Sequence, residues 1–154
     1  MTAHASLTGA DLHEPKGVAA ASSGEVYIAD GAGSGAWTAL NNANKVYVTK
    51  TITDISTAKS SWVVPGIAGT ITKIKSVING AIATADCALT FEIGGVVITG
   101  AGITITQAGS AAGDVDSSSP SGNNTITENS AVELITNGAS TNTVDATITL
   151  EIST

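Results

Sequence analysis

The sequence predicts an all-β protein, an antiparallel β-sandwich or jelly-roll-like body preceded by an extended N-terminal arm. Three observations lead there. Short apolar or alternating runs rich in Val, Ile and Thr recur along the chain, separated by clusters of Gly, Pro, Asn and Ser, and this is the punctuation of an antiparallel sandwich. Helix formers are scarce within those runs. The first 24 residues show no sustained period and read as an arm or linker rather than as part of a core.

Each element follows from its local pattern. Residues 1–24 hold Gly9, Pro15, Gly17 and the run Val18-Ala19-Ala20-Ala21-Ser22-Ser23-Gly24, too short for an isolated helix, which needs about a dozen residues. Residues 25–44 read as a short strand, Glu25 to Asp30, then a glycine turn from Gly31 to Ala36 that reaches Trp37 and links to the body. The body, residues 45–154, opens on a strand from Lys45 to Ile52 with Val46, Val48 and Ile52 on one side. Further strands are expected at Trp62–Val64, Thr70–Ile78, Cys87–Ile93, Val96–Thr99, Ile103–Thr106, Thr125–Thr127, Val132–Thr136 and Val144–Ile152. The last alternates most clearly, with Val144, Ala146, Ile148, Leu150 and Ile152 on one face. Ile71, Ile74, Val77 and Ile78 also match helical spacing, yet Gly69 and Gly80 bracket them and the residues between are rich in Thr, Ile and Val, so a strand is expected. Gly109 to Asn124 reads as one long loop around Pro120.

Composition narrows the function. Hydrophobic residues make up 42% of the chain but aromatic ones only 3%, so the core is thin and aliphatic and oligomerisation would supply burial that one subunit lacks. The net charge is −7, with no Arg; residues 1–75 hold six lysines against five acids, and residues 76–154 hold eight acids and no base. Such a body repels a polyanion, so no nucleic-acid partner is expected. No stretch approaches the roughly 20 apolar residues of a membrane span, and no N-terminal segment reads as a signal peptide, so no membrane partner is expected. The lone Cys87 lies in an alternating run and reads as a buried hydrophobe.

Several motifs invite chemistry and decline it. Gly31-x-Gly33-x-x-Ala36 follows a strand as a dinucleotide fingerprint would, with Asp54 further on, but Asn41, Asn42 and Asn44 interrupt any helix that could present its N-terminus to a pyrophosphate. Asp114-x-Asp116-x-Ser118 is like the start of a calcium loop, but the sixth position is Ser119 and the twelfth Thr125, where an EF-hand needs Gly and an acid. That leaves calcium or a glycan open as a ligand of the loop. His4, His13 and Glu14 lack the spacing of a zinc site, and the only two histidines lie in the arm, away from any nucleophile of the body. The reading is therefore not an enzyme, with no catalytic residue, no cofactor and no metal.

At the arm, Leu7-Thr8-Gly9-Ala10-Asp11-Leu12-His13-Glu14-Pro15-Lys16-Gly17-Val18, followed by Val26-Tyr27-Ile28-Ala29-Asp30-Gly31-Ala32-Gly33-Ser34-Gly35-Ala36-Trp37, resembles the N-terminal segment of small virion proteins of tailed bacteriophages, the head fibres and capsid decoration proteins. The blocks Gly69-Thr70-Ile71-Thr72, Ala85 to Thr90 and Ile103 to Asp114 resemble the β-sandwich body of the same group. The resemblance implies a structural virion protein on the outer surface of the capsid, assembled in the host cytoplasm. It further implies a homotrimer anchored to the major capsid protein, with Leu7, Leu12, His13, Glu14, Pro15 and Val18 as the anchoring residues. The alternative is a receptor-binding tail fibre or tail-tip adhesion module, whose contact loop would present Asp114, Asp116, Ser118, Asn123 and Asn124.

Overall fold

The computed structural model describes Ser22, residues 25–29, residues 35–39 and residues 44–154. The chain divides into two units, Met1–Ala43 and Asn44–Thr154. In the first, β1 (Glu25–Ala29) and β2 (Gly35–Ala39) pair antiparallel, Tyr27 opposite Trp37, and the two rings meet edge to face with centroids 5.4 Å apart. The glycine turn expected from Gly31 to Ala36 therefore ends earlier, because Gly35 and Ala36 already belong to β2. Gly35 is required there by close approach: a Cβ would stand 2.9 Å from Cε1 of Tyr27.

The second unit is an antiparallel sandwich. Its strands are β3 (Lys45–Ile52), β4 (Lys59–Val63), β5 (Gly69–Ile78), β6 (Cys87–Ile93), β7 (Val96–Val97), β8 (Ile103–Ile105), β9 (Val115–Ser118), β10 (Thr125–Ile126), β11 (Val132–Thr136) and β12 (Ala146–Ser153). One sheet runs β3-β12-β5, with β9 and β10 sharing the far side of β5. The other runs β4-β11-β6, with β7 and β8 sharing the far side of β6. Counting each broken edge as one strand, successive strands switch sheets at every step except the hairpin between the fourth and fifth, in the orders 1-8-3-6 and 2-7-4-5, the connectivity of a jelly roll.

Alternation decides what lies between the sheets. Ala146, Ile148, Leu150 and Ile152 of β12 are buried on one side, and Cys87, Leu89 and Phe91 of β6 with Val132 and Leu134 of β11 on the other, all in one apolar cluster. Ile93, next in the same alternation, is only partly buried at the end of β6. There the chain reverses through Gly94 and Gly95, both at positive φ (60° and 78°), which closes a two-residue hairpin onto Val96.

The helical look of the Ile71 segment has a structural cause. Along β5, Leu150 pairs with Ile74 and Glu151 with Lys73, but Ile152 pairs with Ile71, so Thr72 is the extra residue of a β-bulge. The slip lets both Ile71 and Ile74 point inward although they are three apart, and it places Val77, counted with them by spacing, on the outer face.

The principal correction concerns Gly109 to Asn124. It is not one loop: β9 lies within it, paired with Ile74–Val77 of β5, and Gly122 bridges to Thr99. Val115-Asp116-Ser117-Ser118 carries little strand signal of its own, and the free edge of β5 supplies the backbone partners that make it one. Smaller differences lie at boundaries, where β4 starts at Lys59 rather than Trp62, and Thr99 makes only an isolated bridge.

Candidate functional site

The anchoring residues Leu7, Leu12, His13, Glu14, Pro15 and Val18 lie outside the described residues, as do His4 and Gly31 and Gly33 of the glycine motif. Ala36 sits inside β2, so no helix begins where a dinucleotide fingerprint would need one. Asp54, at positive φ (56°), closes its own turn: its carboxylate accepts from the Ser56 amide (3.1 Å), the Ser56 hydroxyl and the Thr57 hydroxyl (3.0 Å). The Ser56 hydroxyl bond is the main reason its carboxyl is held below the ordinary range.

The loop residues Asp114, Asp116, Ser118, Asn123 and Asn124 are not displayed together. Ser118 donates its hydroxyl to the Ala101 carbonyl (2.6 Å), and Asn123, at φ 50°, donates from Nδ2 to the carbonyls of Val96 and Val97 (2.8 and 3.2 Å). Asn124 donates from Nδ2 to the Ile71 carbonyl (2.8 Å) and accepts the Ile71 amide on its own carbonyl (2.9 Å). These three side chains fasten the segment to the sandwich, and Asn124 continues the ladder along β5 between β9 and β10.

Asp114 and Asp116 stand apart from them and share a cleft of about 200 Å³ between the β8–β9 connection and β9. Ile105 forms apolar wall, Thr106 and Ser110 bring hydroxyls, and Val115 flanks the two carboxylates. One carboxylate oxygen of Asp114 accepts the Ala111 amide (2.7 Å), which shapes the turn into β9. Asp116 has its carboxyl pushed above the ordinary range by partial burial, reinforced by the neighbouring charge of Asp114. Directly across the β5–β9 ladder from Asp116 is Ser76, 1% exposed, whose Oγ has no hydrogen-bond partner. Sequence reading missed Ser76 because the bulge shifts the alternation; once Thr72 is discounted, residues 74, 76 and 78 all fall on the inward face.

The outer faces of the two sheets differ. Across the β4-β11-β6-β7 sheet one register row reads Trp62, Glu133, Glu92, Val97, and Trp62 is 57% exposed. Across the other sheet, Lys73 and Lys75 of β5 alternate with Thr149 and Glu151 of β12, and Lys45 donates to Glu151 at 2.6 Å. Among the described residues no group of three or more His, Cys, Asp and Glu could hold a metal ion, and no helix is long and apolar enough to cross a membrane. No family model matches the chain, and no curated protein matches it.

Proposed function

We propose that the protein is a non-enzymatic structural component of a tailed-phage particle. Its N-terminal segment anchors to the capsid, and the jelly-roll body is displayed outside as a head fibre or decoration. The observation that carries this reading is the division of the chain into a separate N-terminal unit, Met1–Ala43, and a self-contained sandwich, Asn44–Thr154. An anchor and a displayed body need that separation, because the anchor can then be ordered by the shell while the body folds on its own core. The resemblance of Leu7 to Val18 and Val26 to Trp37 to virion proteins gives the anchor its partner, the major capsid protein. Jelly rolls are frequent in viral shells and in lectins, an analogy of fold that lends support without assigning function.

Assembly as a homotrimer belongs to the same proposal. The outermost strands on one side of the two sheets, β3 and β4, carry exposed Tyr47 and Trp62, and Val64 follows β4 equally exposed. Apolar side chains concentrated on edge strands suit a contact between copies, and three copies bring three anchors to one surface. Light scattering of the purified protein is expected to give three times the 15.1 kDa chain mass. Deleting residues 1–18 is expected to abolish capsid attachment while the circular dichroism of the body is unchanged. Normal incorporation of that truncation into particles would overturn the anchor.

A second reading, a receptor-binding tail fibre or tail-tip module, is favoured by the cleft holding Asp114 and Asp116 on the side of the sandwich. Gold labelling of particles separates the two: label on the head supports decoration, label at the tail tip supports adhesion.

A further inference from the structure

We propose that Asn79–Gly80 is a self-modification site, where the backbone nitrogen of Gly80 closes onto the Asn79 side chain and leaves aspartate and isoaspartate, while the same dipeptide at Asn137–Gly138 is held unreactive by the fold. The chemistry is independent of where the protein works.

Asparagine followed by glycine reacts readily because glycine has no Cβ to block the approach of its own nitrogen. The Gly80 nitrogen gives up its proton to solvent base and bonds to Cγ of Asn79. Ammonia leaves from Cγ, which closes a succinimide ring. Water then opens the ring, giving aspartate where the new bond to Cγ breaks and isoaspartate where the original peptide bond breaks. Water is the only co-reactant, and ammonia the only group released.

Exposure does not separate the two sites, since both asparagines are exposed. Nor does the side-chain carbonyl, which accepts backbone amides in both: Asn79 Oδ1 from Asp145 (2.8 Å), and Asn137 Oδ1 from Ala88 (3.1 Å) and Ala139 (3.3 Å). Such donors stand where the oxygen gains charge as the ring closes. The nucleophile is what differs. Gly138 donates its amide to the Thr136 hydroxyl (3.1 Å) and lies so close to the β3–β4 connection that a Cβ there would collide with the backbone of Thr57 and Ala58. To reach Cγ of Asn137 that peptide would have to break its bond and turn against close-packed main chain. Gly80 is not held in this way: no hydrogen bond among the described residues engages its amide, and a Cβ there would meet only Cγ2 of Val144, at 3.4 Å. The product falls at a junction. Asp145, whose amide rests on Asn79, also accepts the Asp54 amide on its carboxylate (2.9 Å), so isoaspartate, with its extra main-chain methylene, displaces an acceptor where β5, the Asp54 turn and the start of β12 meet.

The test ages the full chain in mildly alkaline buffer and follows each asparagine by mass spectrometry, where conversion adds about one dalton. Trypsin alone leaves both sites in one piece because no Lys or Arg follows Lys75, so a glutamate-specific protease is added, which yields Ser76–Glu92 with Asn79 and Leu134–Glu151 with Asn137. Fragmentation of the second peptide distinguishes Asn137 from Asn142. In the native protein Asn79 is expected to react at least an order of magnitude faster than Asn137. In guanidinium chloride the two rates should converge, since only the fold tells the sites apart. Isoaspartyl methyltransferase should methylate the aged native protein at residue 79. Gly80→Ala should slow the reaction at Asn79 many-fold. The proposal is overturned if Asn137 reacts as fast as Asn79 in the native protein, or if native Asn79 stays intact over a time in which the unfolded chain converts. It is equally overturned if the gap between the sites persists in guanidinium chloride, or if Gly80→Ala leaves the rate at Asn79 unchanged. The comparison of native with unfolded wild type carries the same reading should Gly80→Ala fail to fold.

Discussion

Glu133 of β11 stands directly across the ladder from Glu92 of β6, two carboxylates side by side on the outer face of their sheet, with Trp62 beyond one and Val97 beyond the other. Like charges directly opposite on a sheet repel, and reversing one converts the repulsion to attraction. Glu133→Lys is expected to stabilise the body by roughly 0.2–1 kcal/mol. A urea midpoint that rises with unchanged m-value checks it.

Leu150 lies at the centre of β12 and is buried between the sheets, with Ile74 on one flanking strand and Val48 on the other. Leu150→Ala should cost about 2–5 kcal/mol through lost burial and the cavity left behind. Leu150→Asp, which would bury an unpaired charge there, should prevent folding altogether. Thermal melts followed by circular dichroism distinguish these from a wild-type-like curve, which would mean that the faces of β12 are reversed.

The Glu151–Lys45 pair links stability to pH in a defined direction. The hydrogen bond from Lys45 is the main cause holding the Glu151 carboxyl below its ordinary 4.5, and the same bond raises Lys45 above its ordinary 10.5. A carboxylate with a depressed folded-state pKa contributes stability that is fully present above its unfolded value and lost as the pH falls through the folded one. A lysine with a raised value contributes stability that is present below 10.5 and lost as the pH rises through its folded-state value. Glu151→Gln is therefore expected to destabilise the body across the window between those two limits and to match wild type in strong acid. Denaturation midpoints measured against pH check the sign.

Cys87 is fully buried, and burial pushes its thiol above the ordinary range, against a smaller opposing effect of the Thr136 hydroxyl 3.9 Å away. Thiol reagents should leave the native protein unlabelled and modify it at the rate of unfolding. Fast labelling without denaturant would contradict the burial of β6.

Most of the sandwich was legible because its strands carry their own alternation: β3, β6 and β11 match the expected ranges end to end. Two strands were not. β9 is a short polar segment whose strand character comes from the edge of β5, and β2 opens on glycine and alanine and is held by its pairing with β1, a relation between segments that a local window does not contain. The bulge at Thr72 was visible only as an anomaly, a helical spacing inside a strand, and its meaning needed the register of β12. Of the cleft, Asp114 and Asp116 were legible as a motif. Ser76, buried across the ladder from Asp116, was not, because its side of the sheet depends on that same bulge.

The broken outer strands have a consequence for how many copies can be crowded together without fusing. The far side of one sheet ends on the two residues of β7 and the three of β8, and the far side of the other on the four of β9 and the two of β10. Neither presents an uninterrupted row of amides and carbonyls for a stray strand to copy. On the near side, β3 is long enough to serve as a template, but Lys50 sits on its inward-facing side with Val46, Val48 and Ile52, so an added strand would have to strip water from a charge. Fibril growth by strand addition is thus discouraged along β3 and at the broken far margins of both sheets.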